Sequence, residues 1–141
     1  MKPIVVIDFD GVIHSYKQRW IDFDKIPDPP VPGAIDFLRN LIGCDKFQVY
    51  IHSSRNVPTK NGGREIDRKY QPWCGKLAME RYLIENGLEI EFVNEITFPD
   101  YKPPAHVTID DRVICFTGSF PSIEEIENFK PWNNKDDAYE E

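Results

Sequence analysis

Ile4-Val5-Val6-Ile7-Asp8-Phe9-Asp10-Gly11-Val12-Ile13 lies near the start of the chain and decides how the remainder is read. Its four leading aliphatics form a short apolar run, as a strand does when both its faces are covered in a parallel sheet. Asp8 and Asp10 follow two residues apart, and Gly11 then supplies a turn without a Cβ. Both acids therefore fall at the carboxyl edge of a strand, where open α/β sheets place their ligands. Carboxylates this close repel, share a proton or hold a cation, and a hard divalent ion resolves the repulsion most simply.

Outward from this strand, residues 14–30 read as an irregular loop or small hairpin that carries Tyr16, Trp20 and Phe23 and leaves through Pro27-Asp28-Pro29-Pro30. It departs from the edge that bears Asp8 and Asp10. It is placed to be a flap over a ligand, or else a connector whose aromatics pack on the core. Pro32, followed by Ala34, Phe37, Leu38, Leu41 and Ile42 at helical spacing, predicts a helix that Gly43 stops. Residues 47–51 predict a second strand running into His52-Ser53-Ser54-Arg55, residues 56–63 a loop, and residues 64–70 a short helix.

Trp73, Leu77, Met79, Tyr82 and Leu83 predict a helix ending at Asn86-Gly87. A third strand is expected at 90–93, a fourth at 107–109 and a short fifth at 113–116, with a proline-rich loop over 98–104 presenting Lys102. Ser122-Ile123-Glu124-Glu125 has the form of a capping box that opens a last helix through Phe129. Strands alternating with helices predict an α/β fold with a mostly parallel sheet flanked by helices. Residues 1–132 are expected to form a single domain, and residues 133–141 an acidic, mobile tail.

Composition sets the bounds. A chain of 141 residues, 40% hydrophobic and 29% charged, has the size and make-up of one globular domain. Its formal net charge of −7 opposes broad attraction to nucleic-acid backbones, so any phosphate would need a metal or a focused basic site. Cys44, Cys74 and Cys115 are widely spaced and odd in number, which suggests reduced thiols and neither a disulfide framework nor a zinc site. The N-terminal apolar run is too short for a signal peptide or a membrane span, so a cytoplasmic location without membrane attachment is expected. Monomer and dimer are left open.

Three predicted strands end in polar residues: the first in Asp8 and Asp10, the second in Ser53, Ser54 and Arg55, and the fourth in Asp110 and Asp111. Parallel strands bring these ends to one edge of the sheet. Four converging carboxylates would suppress one another's ionisation, and a bound Mg²⁺ accounts for them economically.

These residues resemble the motifs of the haloacid dehalogenase superfamily of phosphatases. Asp8-Phe9-Asp10-Gly11-Val12-Ile13 is similar to its first motif, Ser53 to the second, Lys102 to the third and Ile109-Asp110-Asp111 to the acidic fourth, all in the family's order. Lys102-Pro103-Pro104-Ala105 with Ile109-Asp110-Asp111-Arg112 further resembles small, compact members found in bacteria and their phages. The resemblance implies that Asp8 is a nucleophile forming an aspartyl-phosphate and that Asp10 is the general acid and base. It also implies Mg²⁺ held by Asp8, the Asp10 main-chain carbonyl and an acid of the Asp110/Asp111 pair. Asp111 is the favoured direct ligand, with Asp110 behind it against Lys102. Ser53 and the amide after it, with Ser54 and Lys102, would hold the phosphoryl group, and Arg55 resembles a phosphate-clamping arginine of polynucleotide 3′-phosphatases.

There is no room for a folded cap between the first motif and the helix at Pro32, so the site is expected to be open, for a macromolecular substrate or a covering partner. His52, where relatives commonly carry an aromatic or aliphatic residue, reads as a packed residue and not as a catalyst. The expected activity is Mg²⁺-dependent phosphomonoester hydrolysis. A nucleotide or nucleic-acid terminal phosphate is set ahead of a sugar phosphate or a phosphoprotein. The alternatives of another class are a receiver-like signalling module, which the leading position of the Asp-x-Asp pair disfavours, and a non-catalytic phosphate-binding module, which would need one of the four motifs broken.

Overall fold

The computed structural model describes residues 1–18, 20–56 and 72–133. Strand β1 (Ile4–Asp8) is central, flanked by β2 (Gln48–His52) and β3 (Val107–Ile109) in the order β2-β1-β3. Both pairings are parallel: Asp8 lies opposite His52, and Ile7 opposite both Ile51 and Ile109. The small mixed α/β fold with an open parallel sheet agrees with the sequence at that level, and the three strand ends meet at one edge.

The core lies on the face carrying Val5, Ile7, Val49 and Ile51. Helix α1 (Ala34–Gly43) contributes Ala34, Leu38 and Ile42, helix α2 (Pro72–Glu85) contributes Met79, Tyr82 and Leu83, and the one-turn α3 (Ile90–Val93) contributes Val93. Complete burial of a residue such as Leu38 favours the fold by about 2 kcal/mol over leaving it exposed. Helix α2 approaches the 3₁₀ turn Ser54–Asn56 so closely that a Cβ on Gly75 would lie 1.8 Å from the Arg55 carbonyl oxygen. The last helix, α4 (Ile123–Glu127), has the expected capping box: Ser122 Oγ accepts from the Glu125 N–H, and the Glu125 carboxylate accepts from the Ser122 N–H.

Two expected strands are absent. Residues 90–93 form α3, and the open edge of β2 is met by Thr97, which bridges to Tyr50 and bonds to Val49 and Ile51. An Ile-Glu-Phe-Val tetrapeptide alternates like a strand, but a run this short does not distinguish the two periods, and the place beside β2 is filled elsewhere. Residues 113–116 form no strand and stay exposed. Only three residues separate them from β3, and a parallel neighbour needs a crossover of a dozen or more. Most of the loop expected over 56–63, the helix expected over 64–70, and the tail beyond Asn133 lie outside the described residues. Among the described residues no helix is long and apolar enough to cross a membrane.

Candidate functional site

The segment after β1 turns sharply. Gly11 has φ 89°, and the Phe9 carbonyl accepts from the N–H groups of Val12, Ile13 and His14. A Cβ on Gly11 would stand 2.1 Å from Asp111 Oδ2, so glycine is required both by the backbone and by the close approach of the acid. Asp8, Asp110 and Asp111 each offer a carboxylate oxygen within 4.8 Å of the others. Asp110 Oδ1 accepts the Arg112 N–H at 2.9 Å, whereas Asp111 Oδ1 is buried with no hydrogen-bond partner among the described residues.

Burial pushes the Asp8 carboxyl from its ordinary 3.8 to about 8. Repulsion by Asp110 and a hydrogen bond with Asp111 add to the rise, against a bond from the Phe9 N–H. Asp111 is raised as well, mainly by burial, while its bond with Asp8 and the charge of Arg112 oppose this. Both rises favour a proton shared between the two carboxyls when no cation neutralises them. Three oxygen donors, one of them orphaned, fit a hard divalent cation.

A cavity of about 320 Å³ opens beside these acids, lined among others by Asp8, Ser53, Ser54, Lys102, Asp110 and Arg112. Ser53 is held at the end of β2 because its Oγ accepts the Arg55 N–H at 3.1 Å, which leaves the hydroxyl proton free to donate elsewhere. Asn56 fastens the surrounding elements: its Nδ2 donates to the Phe98 carbonyl at 2.8 Å, and its Oδ1 accepts the N–H of Lys76 in α2 at 3.1 Å. Lys102 is exposed and makes no hydrogen bond or ion pair among the described residues. His52 also lines the cavity, half-buried.

Asp10 and Arg55 lie apart from this group. Arg55 is 1% exposed and does not line the cavity, so it is not placed as the expected phosphate clamp. Its Nε donates to Asp10 Oδ2 at 2.9 Å and its Nη2 to Asp10 Oδ1 at 3.0 Å, while Nη1 donates to the carbonyls of Asp22, Phe23 and Lys25. Once the backbone turns at Asp10, the side chain swings to a buried partner instead of joining Asp8. His14 Nε2 accepts the Asp28 N–H at 3.1 Å, so the ring proton is on Nδ1 and is donated to Asp10 Oδ1 at 2.7 Å.

Asp28 in turn accepts from the Gln18 N–H and side-chain amide. Burial raises its carboxyl, but these bonds and His14 outweigh it, and the group sits below its usual range. Sequence reasoning gave no role to His14 or Asn56, and it quoted Arg112 within a motif without assigning it one. Arg112 directly follows the Asp110-Asp111 pair, a position that could have flagged it. Trp132 Nε1 donates to the Gly11 carbonyl and Asn133 Nδ2 to the Ser15 carbonyl, each at 2.8 Å, which fastens the C-terminal segment to the site loop.

No family model matches the chain, and neither a curated protein nor a solved structure gives a match.

Proposed function

We propose that the protein is a Mg²⁺-dependent phosphomonoester hydrolase working through an aspartyl-phosphate on Asp8. The observation that carries this reading is the meeting of Asp8, Asp110 and Asp111 within 4.8 Å, beside a cavity that Asp8, Asp110, Ser53 and Lys102 line. Mg²⁺, when bound, would offset the negative charge of the carboxylates and the phosphoryl oxygens. Asp8 and Asp111 would hold it with the Asp10 main-chain carbonyl, and Asp110, whose Oδ1 is already engaged, would support it.

In the first step Asp8 attacks phosphorus and the bond to the ester oxygen breaks, Asp10 protonating the departing alkoxide. In the second, Asp10 takes a proton from water, which attacks the phosphorus of the aspartyl-phosphate, releases inorganic phosphate and restores Asp8. The Ser53 hydroxyl, the Ser54 N–H and Lys102 would hold the transferring oxygens, and Arg112 adds positive charge to the same cavity. We favour a nucleotide or a short nucleic-acid end as substrate. Trp20 and Tyr101 are 45% and 61% exposed and offer ring faces for a base, while the net charge of −7 disfavours a long polyanion.

A phosphate-ester panel assayed with and without Mg²⁺ tests the reading. Turnover is expected only with the ion, and Asp10→Asn is expected to slow alkyl esters by about 10²- to 10⁴-fold while sparing formation of the intermediate from esters with acidic leaving groups. Turnover indifferent to Mg²⁺, or no turnover on any ester, would defeat it.

The raised Asp8 carboxyl gives a second expectation. Between pH 3.8 and about 8 the folded protein binds more protons at Asp8 than the unfolded chain, so the stability of the metal-free protein falls as pH rises through that window. Mg²⁺ replaces the shared proton and should therefore raise Tm more at pH 8 than at pH 5. At a concentration 100 times its Kd the ion adds about 2.7 kcal/mol. A Tm shift that is absent, or equal at both pH values, would contradict this.

A further inference from the structure

Ser15 and Pro29 join the two ends of the loop that follows the site turn. The Ser15 N–H donates to the Pro29 carbonyl at 3.0 Å and the Ser15 hydroxyl to the same oxygen at 2.6 Å, while the Val31 N–H donates to the Ile13 carbonyl at 2.8 Å. Tyr82 and His14 hold the loop at Asp28, and Arg55 holds it at residues 22–25. Arg55 Nη1 gathers the carbonyls of Asp22, Phe23 and Lys25 at 2.8–3.1 Å, and the Trp20 ring covers the guanidinium at 4.7 Å. The other edge of the same planar group grips the Asp10 carboxylate through Nε and Nη2. The Arg55 backbone is fixed in turn, by the contact with Gly75 and by its N–H bond to Ser53 Oγ.

We propose that Arg55 is a positioning residue, through which the 15–29 loop sets the place of the Asp10 carboxylate relative to Asp8, with His14 holding the second contact to Asp10. A guanidinium is suited to this. Its fork is rigid, it stays charged, and its edges serve different partners at the same time. A substrate that moves Trp20 or the 22–25 backbone moves the group that holds Asp10, so a loop contact is passed to the acid without the loop touching the reacting atoms. This inference rests on the hydrolase reading above, but its structural half can be tested without activity.

The test is a cycle of Arg55→Ala, Asp10→Asn and the double variant, with Arg55→Lys as a milder change should Arg55→Ala not fold. Arg55→Ala leaves the half-buried Asp10 carboxylate with His14 alone and no compensating charge from the guanidinium, so thermal unfolding should show the double variant to be more stable than Arg55→Ala alone. Additive losses in Tm would overturn the pairing, whether or not any ester is turned over. In activity, Arg55→Lys should lower kcat on alkyl esters by about 10-fold or more, with smaller changes in KM and in the rate at which the aspartyl-phosphate forms from activated esters. In the Asp10→Asn background it should add little. An equal loss in that first step on both ester classes, or a full further loss in that background, would mean that Arg55 does not act through Asp10. Failure of wild-type turnover would instead strike the hydrolase reading.

Discussion

Asp8→Asn is expected to abolish turnover, with a loss on the order of 10⁴-fold or more, because an amide oxygen cannot take the place of the attacking carboxylate. The same change should leave the metal-free fold intact and make it more stable at pH 8. Asn keeps the shape of Asp8 and removes the charge that burial, Asp110 and Asp111 all oppose. At pH 4 Asp8 is already protonated in the folded protein, so the gain should fade as pH falls. It should also come with a loss of stabilisation by Mg²⁺, since one of the three converging carboxylates is gone. Phosphate release together with thermal melts at the two pH values checks each part. Turnover near the wild-type rate would remove Asp8 as nucleophile, and a variant less stable than wild type at pH 8 would remove the repulsion argument.

The second large effect is expected from the smallest side chain in the site. Gly11→Ala adds a Cβ 2.1 Å from Asp111 Oδ2 and 2.7 Å from its Cγ, at a backbone φ of 89°. The backbone conformation alone costs an L residue roughly 1–2 kcal/mol. The collision must be relieved by moving Asp111 or the turn itself, and either movement takes an acid out of the cluster. Activity should fall at least about 100-fold, as expected when a group at the reacting centre is displaced by 1 Å or more. The Mg²⁺-dependent rise in Tm should shrink with it. Gly87→Ala is the control: Gly87 has φ 107° and nothing within 4 Å of its would-be Cβ, so it bears a similar conformational cost away from the site. Comparable destabilisation in both variants with activity lost only in Gly11→Ala is the expected result. Full activity and undiminished Mg²⁺ stabilisation in Gly11→Ala would show that Asp111 can move without consequence.

The parts of the fold that were legible in advance are those in which local pattern and tertiary demand agree. Ile4–Asp8 is read as a buried strand because β-branched residues suit the pleat and no polar residue interrupts them, and in the structure it is the central strand, with Val5, Val6 and Ile7 buried. The Ser122 capping box depends only on residues three apart and forms as expected. Residues 90–93 and 113–116 misled for different reasons. At 90–93 a short alternating run leaves the choice to packing, and Val93 faces the core from a helical turn. At 113–116 the composition suits a strand, but the connection from β3 is too short for a parallel neighbour.

The site divides the same way. Convergence of Asp8, Asp110 and Asp111 follows from parallel strands ending together, which sequence order and polarity at strand ends are enough to anticipate. The direction of a side chain beyond a turn is not available from spacing. Arg55 stands two residues past Ser53, where a phosphate contact is conceivable, yet the 3₁₀ turn at Ser54–Asn56 sends it into the protein to meet Asp10. Its partners come from residues 22–25, about 30 positions earlier in the chain, and no local pattern links the two segments. The same holds for His14, four residues from Asp10, whose role depends on the Asp28 N–H fixing the proton on the nitrogen that faces the acid.

The central claim is that phosphoryl groups pass through Asp8, and it is tested most directly by trapping the intermediate. Protein turning over an ester in Mg²⁺ would be quenched, reduced with borohydride, which converts an acyl-phosphate to the alcohol, and mapped by peptide mass spectrometry. Homoserine at position 8, dependent on both Mg²⁺ and substrate and absent from Asp8→Asn, is the predicted result. Steady phosphate release with Asp8 unmodified, or with the modification at another carboxylate, would contradict it.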